Sequence, residues 1–539
     1  MTRWVIWTFT NACFALLKKR ASSHTDTQRA PTRLNSIQHL RVCGSQNNLN
    51  GATMRLHASA AMLALSARIS AAQDSSLTVN TTSGTYTGLV NVTAPDVNQW
   101  LGIPYGRPPI RFMPPQRSAD HGTGLMATSY KPICMQDSGN HTGAFWELVP
   151  EFQNTDPQSE DCLYLNIWGP RKPVAEKQKL PVIVWVCGGA FKEGGGHAPY
   201  QVPDQWIQRT GTHLVVAFNY RLNVFGFPGA PTGTSNAGLM DVRLAVEWLR
   251  DNVEGFGGDP NRMVLYGQSA GGGTVFNYAY ANPTDPIVSG FIASSAGINN
   301  DNLSSVNTGF HNVAQKVGCT NLTDAAEFAC MQKVDAVALR DAVVSSGIRF
   351  APVLDNVTVM ANLTDRLEKG LVAKAPLITG FTFNEPAAFA PYDANATGPP
   401  EVTLGAPLNF GCGALKEATM RTNYGLTTYT YLYAGNFTNI TPRYWLGGMH
   451  SSDIPIIFGT HYQFRGNSTE LEWQTSFAMQ SMWVTFAANS SAQPRDHLGH
   501  VWPKYTAKDG QIMVFGNATG SSPSYVAPKA VSDAYTGSC

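Results

Sequence analysis

Apolar residues at steps of three and four mark Leu239, Val242, Val246, Leu249 and Val253 as one stripe of an amphipathic helix. Gly255, Gly257 and Gly258 predict its end, Asp259-Pro260 a turn, and Met263–Tyr266 a strand. Other continuous apolar runs have strand length and no polar alternation: Val182–Val186, Leu214–Phe218, Phe291–Ala293 and Pro376–Ile378. Strands of that kind are buried on both faces, as in a parallel sheet between two helix layers. The pattern predicts an α/β fold.

Residues 262–273 carry the first chemistry. They read Arg-Met-Val-Leu-Tyr-Gly-Gln-Ser-Ala-Gly-Gly-Gly: a short strand, a Gly-x-Ser-x-Gly turn, then small residues able to open a helix. A bare Gly-x-Ser-x-Gly arises by chance in Gly-rich chains. Strand before and helix after are the context in which the turn lifts a serine hydroxyl above a sheet edge, and the glycines at 267 and 271 permit the tight bend. Ser269 is therefore the candidate nucleophile.

The stretch Asn236-Ala-Gly-Leu-Met-Asp241, Phe256-Gly-Gly-Asp-Pro260 and Gly267-Gln-Ser-Ala-Gly271 resembles the type-B carboxylesterase (cholinesterase/lipase) family of α/β-hydrolases. So do Gly102-Ile-Pro-Tyr105, Ser159-Glu-Asp-Cys-Leu-Tyr-Leu-Asn166 and Asn219-Tyr-Arg-Leu-Asn-Val-Phe-Gly226, in the family's order, from about Leu77 to the C-terminus. The general feel is that of secreted fungal carboxylesterases. The resemblance implies the α/β-hydrolase fold, a central mostly parallel sheet with helices on both faces, over residues 73–539, and hydrolysis of carboxylic esters.

A serine hydroxyl needs a positioned base, and the base an orienting acid; in α/β-hydrolases the order is Ser, acid, His. Five glutamates lie between Ser269 and His450, and Glu385 alone closely follows a strand candidate, Ala375–Gly380. The family also has its acidic residue there, usually followed by Gly where this chain has Pro386, so a different loop backbone is expected. His450, His461, His497 and His500 follow Glu385. The resemblance singles out His450, in Gly447-Gly-Met-His450, as the base. It also implies that Gly189, Ala190 and Ala270 supply the N–H groups that hold the oxyanion, and that Arg111 meets Glu160 and Arg221 meets Asp241 as structural pairs. Implied disulfides are Cys134–Cys162, Cys319–Cys330 and Cys412–Cys539; Cys187 is left as a packed thiol.

The net charge of +1 and a charged fraction of 14% give no reason to expect nucleic acid as a partner. No metal-ligand cluster is visible, and no cofactor is expected; the partner is a small-molecule ester. Residues 1–53 read as a doubtful leader, an extension of the gene model, with Trp4–Leu17 as the rival membrane-anchoring segment. Residues 54–72 have the layout of a signal peptide: a charged start, a short apolar core and Ser70-Ala-Ala72. Thirteen Asn-x-Ser/Thr sequons and the paired cysteines also point to a secreted glycoprotein without a stable membrane anchor.

Gln268 stands before the nucleophile where acetylcholine-cleaving relatives have Glu, which disfavours choline esters. The 27 residues between Cys134 and Cys162 occupy the place of the lid of lipases in the family, with Ala144–Val149 as its apolar part. The stretch from Glu385 to Cys412 is short for the family, which implies a wider opening. The sequence thus reads as a secreted serine carboxylesterase working through an acyl-enzyme. The alternatives are an interfacial triacylglycerol lipase and a catalytically silent adhesion protein.

Overall fold

The computed structural model describes residues 77–535, apart from 138–142, 175–177, 299, 301–302, 393–409, 509 and 518–522. The expected leader, the signal peptide, the Trp4–Leu17 segment and most of the short stretch before Cys412 lie outside the described residues.

Eleven strands form the main sheet: β1 (Leu89–Val90), β2 (Val97–Pro104), β3 (Tyr164–Pro170), β4 (Leu180–Val186), β5 (Leu214–Phe218), β6 (Gly258–Gln268), β7 (Gly290–Ser294), β8 (Leu377–Thr382), β9 (Thr428–Tyr433), β10 (Gln511–Asn517) and β11 (Ser524–Ala530). Their spatial order is β11-β10-β9-β8-β7-β6-β4-β5-β3-β2-β1. The run from β5 through β4 and β6 to β10 is parallel. The two edges are antiparallel. This is the expected mostly parallel sheet.

Alternate residues of the central strands enter different cores. Val182, Val184 and Val186 of β4 belong to one apolar cluster, Ile183 and Trp185 to the other. Met263 and Leu265 of β6 divide from Val264 and Tyr266 in the same way. Burial on both faces is why these strands read as unbroken apolar runs. The predicted helix runs Ala237–Asn252, and all five stripe residues are buried on the first face. The long helix Glu470–Ala488, started by a Thr469 capping box, supplies Met479, Met482, Trp483 and Phe486 to the second.

Strand β6 differs from the expectation. It begins at Gly258 rather than Met263, and its pairing with β4 shifts register between those two residues. Asp259-Pro260 therefore marks an irregularity at the strand's start, not a turn ahead of it.

The topology positions the site. The chain leaves β4 for β5 on one side, then returns to place β6 on the other side of β4. Loops from the carboxyl ends of β4 and β6 thus diverge at a switch point, where open α/β sheets bind ligands.

Candidate active site

Ser269 sits between β6 and the helix Ala270–Ala281 with φ 57° and ψ −123°. A serine held there costs about 1–3 kcal/mol, so its surroundings must enforce the conformation. Neighbouring glycines show how. A Cβ on Gly267 would stand 2.3 Å from the Gly271 carbonyl oxygen, and one on Gly271 would stand 2.1 Å from that of Val186. Close backbone approach requires these two glycines. The Ser269 N–H donates to the Ser294 carbonyl at the end of β7 (2.9 Å), which ties the elbow to the next strand.

Glu385 lies three residues beyond β8, in the 3-10 turn Glu385–Phe389, where Pro386 is accommodated in the first two positions. Its Oε1 accepts from the Thr382 N–H at 2.7 Å, which fixes the carboxylate and leaves Oε2 for the Nδ1 of His450, a very close pair buried on both sides. The loops are stitched together as well. Asn384 N–H donates to the Gly448 carbonyl (2.7 Å), and the Asn384 amide donates to those of Trp445 (2.9 Å) and Leu446 (3.0 Å). With Nδ1–H given to Glu385, Nε2 is the free acceptor, the tautomer a general base needs.

That acceptor is occupied. The side-chain nitrogen of Gln268 lies 3.1 Å from His450 Nε2. Among the described residues there is no hydrogen bond between Ser269 and His450. Two rings flank the imidazole: Phe410 stacked at 4.7 Å and 24°, and Phe389 at 5.1 Å and 46°.

Behind the pair lies a group that sequence reasoning missed. Asp453 is fully buried, and burial pushes its carboxyl up to about 6, the nearby Glu385 adding to the rise. The Tyr431 hydroxyl is 2.7 Å from Asp453 Oδ2 and 2.6 Å from Ser294 Oγ, so it donates to the carboxyl group and accepts from the serine. The only sequence signal was an acid three residues after His450 in an apolar setting.

Gly189 and Ala190 lie in the loop after β4, next to Gly188, and Ala270 directly follows Ser269. A Cβ on Gly188 would lie 3.1 Å from that of Ser269, so the loop after β4 runs against the serine. Among the described residues, the backbone N–H groups of Gly189, Ala190 and Ala270 have no acceptor within the chain. Three open donors beside a raised serine could hold a developing oxyanion.

Among the described residues, the remaining sequence-derived pairs make no hydrogen bond with Ser269, Glu385 or His450. Arg111 grips Glu160 through Nε (2.8 Å) and Nη2 (2.5 Å) and also donates to the Met331 and Val334 carbonyls. Arg221 grips Asp241 at 2.8 and 2.6 Å. His461 is buried against Ser468 and Glu472, and His500 pairs with Asp496. The Cys134–Cys162 and Cys319–Cys330 bridges are formed. Cys412 is disulfide-bonded too, while its expected partner Cys539 lies outside the described residues. Cys187 is a free, buried thiol pushed up to about 12 by burial, which leaves it inert.

This α/β-hydrolase architecture with its serine elbow defines a class, and comparison with known proteins defines the family. The Carboxylesterase family profile matches residues 75–405 and 402–529. The chain belongs to that family and is a carboxylic ester hydrolase, which sets aside the adhesion-protein reading. It is 42% identical over 462 residues to the Chlorogenic acid esterase of Aspergillus niger, covering 81% of this chain and 90% of that protein. It is 37% identical to Secreted lipase 5 of Gibberella zeae (80% and 88% covered). It is 27% identical to the Acetylcholinesterase of Bungarus fasciatus (81% and 82% covered).

Proposed function

We propose that this chain is a secreted carboxylesterase that works through an acyl-enzyme on Ser269. The Ser269 hydroxyl attacks the ester carbonyl while His450 Nε2 takes its proton. The C–O bond then breaks, and the same proton goes to the departing alcohol. Water, deprotonated by His450, attacks the acyl-enzyme; the acyl–Oγ bond breaks, His450 returns the proton to Ser269, and the acid leaves. Glu385 holds the imidazolium, and Gly189, Ala190 and Ala270 bind the oxyanion. For the first step the Gln268 amide must yield Nε2 to Ser269. The observation that carries the reading is the strained Ser269 at the end of β6, one residue from a side chain bonded to His450, whose other nitrogen meets Glu385.

The substrate class is an ester bearing an aromatic group, with chlorogenic acid as the test case. The relative with 42% identity is named for that compound. Phe389 and Phe410 offer aryl surface beside His450. An esterase is favoured over an interfacial lipase because the apolar segment Ala144–Leu148 is tied down. Ala144 N–H donates to the Ala390 carbonyl (2.9 Å), the Trp146 indole to Glu193 (3.1 Å), and Arg465 to the Leu148 carbonyl (2.9 Å).

Secretion, with a mature chain starting near Gln73, is supported by the disulfides and by exposed sequons such as Asn321, Asn356 and Asn467. The test is hydrolysis of dissolved chlorogenic acid and of a triacylglycerol emulsion by the native chain and by Ser269→Ala. The expected result is turnover of the dissolved ester with no rate jump on the emulsion, and loss of that turnover in the variant. Turnover that survives Ser269→Ala overturns the mechanism; a rate jump at the emulsion surface overturns the esterase assignment.

A further inference from the structure

We propose that Gln136 is a positioning residue for the oxyanion loop, linking the Cys134–Cys162 disulfide to the donors beside Ser269. The inference rests on the reading of Gly189 and Ala190 as oxyanion donors.

The loop from Cys187 to Gly194 has an unfavourable backbone. Gly189 (φ 115°), Ala190 (54°), Phe191 (62°) and Gly194 (119°) all lie at positive φ, and two of the four are not glycine. Such a loop keeps its shape only if its neighbours over-determine it. Its internal bonds are few: the Lys192 and Glu193 N–H groups both donate to the Gly189 carbonyl, at 2.9 and 3.1 Å. Asn223 N–H holds the Phe191 carbonyl from one side at 2.7 Å.

The Tyr220 hydroxyl donates to the Cys187 carbonyl at 2.9 Å, and a further set of external bonds comes from the disulfide loop. The Gln136 amide brackets Gly194: its Nε2 donates to the Gly194 carbonyl (2.9 Å), and its Oε1 accepts from the Gly194 N–H (2.9 Å). The same Nε2 donates to the Cys134 carbonyl at 3.0 Å, so the amide is fastened to the half-cystine itself. Gln136 is 3% exposed. Next to it, Asp137 N–H donates to the Lys192 carbonyl at 3.2 Å, and Trp146 adds its bond to Glu193.

Contact then continues inward. A Cβ on Gly194 would stand 2.5 Å from the Gly188 carbonyl oxygen, and Gly188 in turn packs against Ser269. Cys134, Gln136, Gly194, Gly188 and Ser269 thus form one unbroken line of contact. Donors stabilise an oxyanion only when held at hydrogen-bond distance from where it forms, so releasing Gly194 should act on the transition state more than on substrate binding.

The test uses Gln136→Met, which keeps length but loses all three amide bonds, and Trp146→Phe, which keeps an aromatic ring but removes the indole N–H that bonds Glu193. Each is measured with a neutral aryl ester and with an aryl trifluoromethyl ketone, whose adduct with the serine carries an oxyanion. Rates are expressed per site titrated by a fluorophosphonate. The expected result for Gln136→Met is a fall in kcat of about tenfold to a hundredfold, KM changed by less than about threefold, and ketone affinity weakened in the same proportion as kcat. Trp146→Phe should show the same split, at about threefold to tenfold. Should Gln136→Met yield no folded protein, the Trp146→Phe split decides. A merely structural brace would lower thermal stability yet leave kcat per titrated site and ketone affinity within twofold of native, and that result overturns the inference. Failure of the underlying serine reading looks different: the native chain itself would not be titrated.

Discussion

The side-chain amide nitrogen of Gln268 lies 3.1 Å from Nε2 of His450, the ring nitrogen that receives the proton of Ser269 in the proposed mechanism. An amide is suited to this place because it donates to the neutral imidazole and, turned over, accepts from the imidazolium. A carboxylate could only accept, and would favour the charged ring, which is inactive as a base. Gln268→Glu should therefore move the acidic limb of the kcat/KM profile to higher pH. It should also raise the relative rate on a choline ester over a neutral one, since the site gains a negative charge. Paired pH–rate profiles on both substrates check this. If neither the limb nor the preference moves, the amide does not act on His450.

Asp453 makes a separate prediction about stability. Its folded carboxyl holds a proton up to about pH 6, against an ordinary value of 3.8. The folded chain thus binds this proton more tightly than the unfolded chain, and the group's contribution weakens folding as pH rises from about 4 to about 6. The full effect is about 3 kcal/mol. Asp453→Asn keeps an acceptor for Tyr431 and removes the titration. Denaturant midpoints taken between pH 4 and 7 should fall less, or rise more, with pH in the variant than in the native chain. Parallel curves would show that the buried carboxyl is not the titrating group.

Sequons are expected to differ in occupancy according to what the asparagine does in the fold. Asn439 is buried, and its amide donates to the His461 carbonyl and the Ser468 hydroxyl, both at 3.0 Å. A glycan on that nitrogen would displace both bonds and could not fit beneath the surface. Asn321, Asn356 and Asn467 are exposed. Glycopeptide mapping of secreted protein should find Asn439 bare while exposed sites carry sugar. A glycan on Asn439 in folded, active protein would contradict the packing described for it.

Local pattern exposed much of this molecule. Both faces of β4 are covered, so its residues had to be apolar throughout, and the helix Ala237–Asn252 buries one stripe at helical spacing. The start of β6 was hidden because Asp259-Pro260 has the composition of a turn, while the structure places it at a register shift within the strand. At the site, Ser269 was legible from its neighbours and Glu385 from the strand before it. The pairing of Glu385 with His450 spans 65 positions, and only the resemblance to a family suggested it. Gln136 and Asp453 were silent for a physical reason. The amide of Gln136 acts on a backbone 58 positions away, and Asp453 owes its raised carboxyl to burial created by distant segments. Neither leaves a periodicity or a motif.

The central claim, that Ser269 carries the covalent step, is tested most directly by labelling with a fluorophosphonate probe and mapping the modified peptide. The native chain should carry the probe on Ser269 and lose its esterase activity in proportion to labelling, and Ser269→Ala should take up none. Labelling that persists in Ser269→Ala, or that maps to Cys187 or another residue, would contradict it.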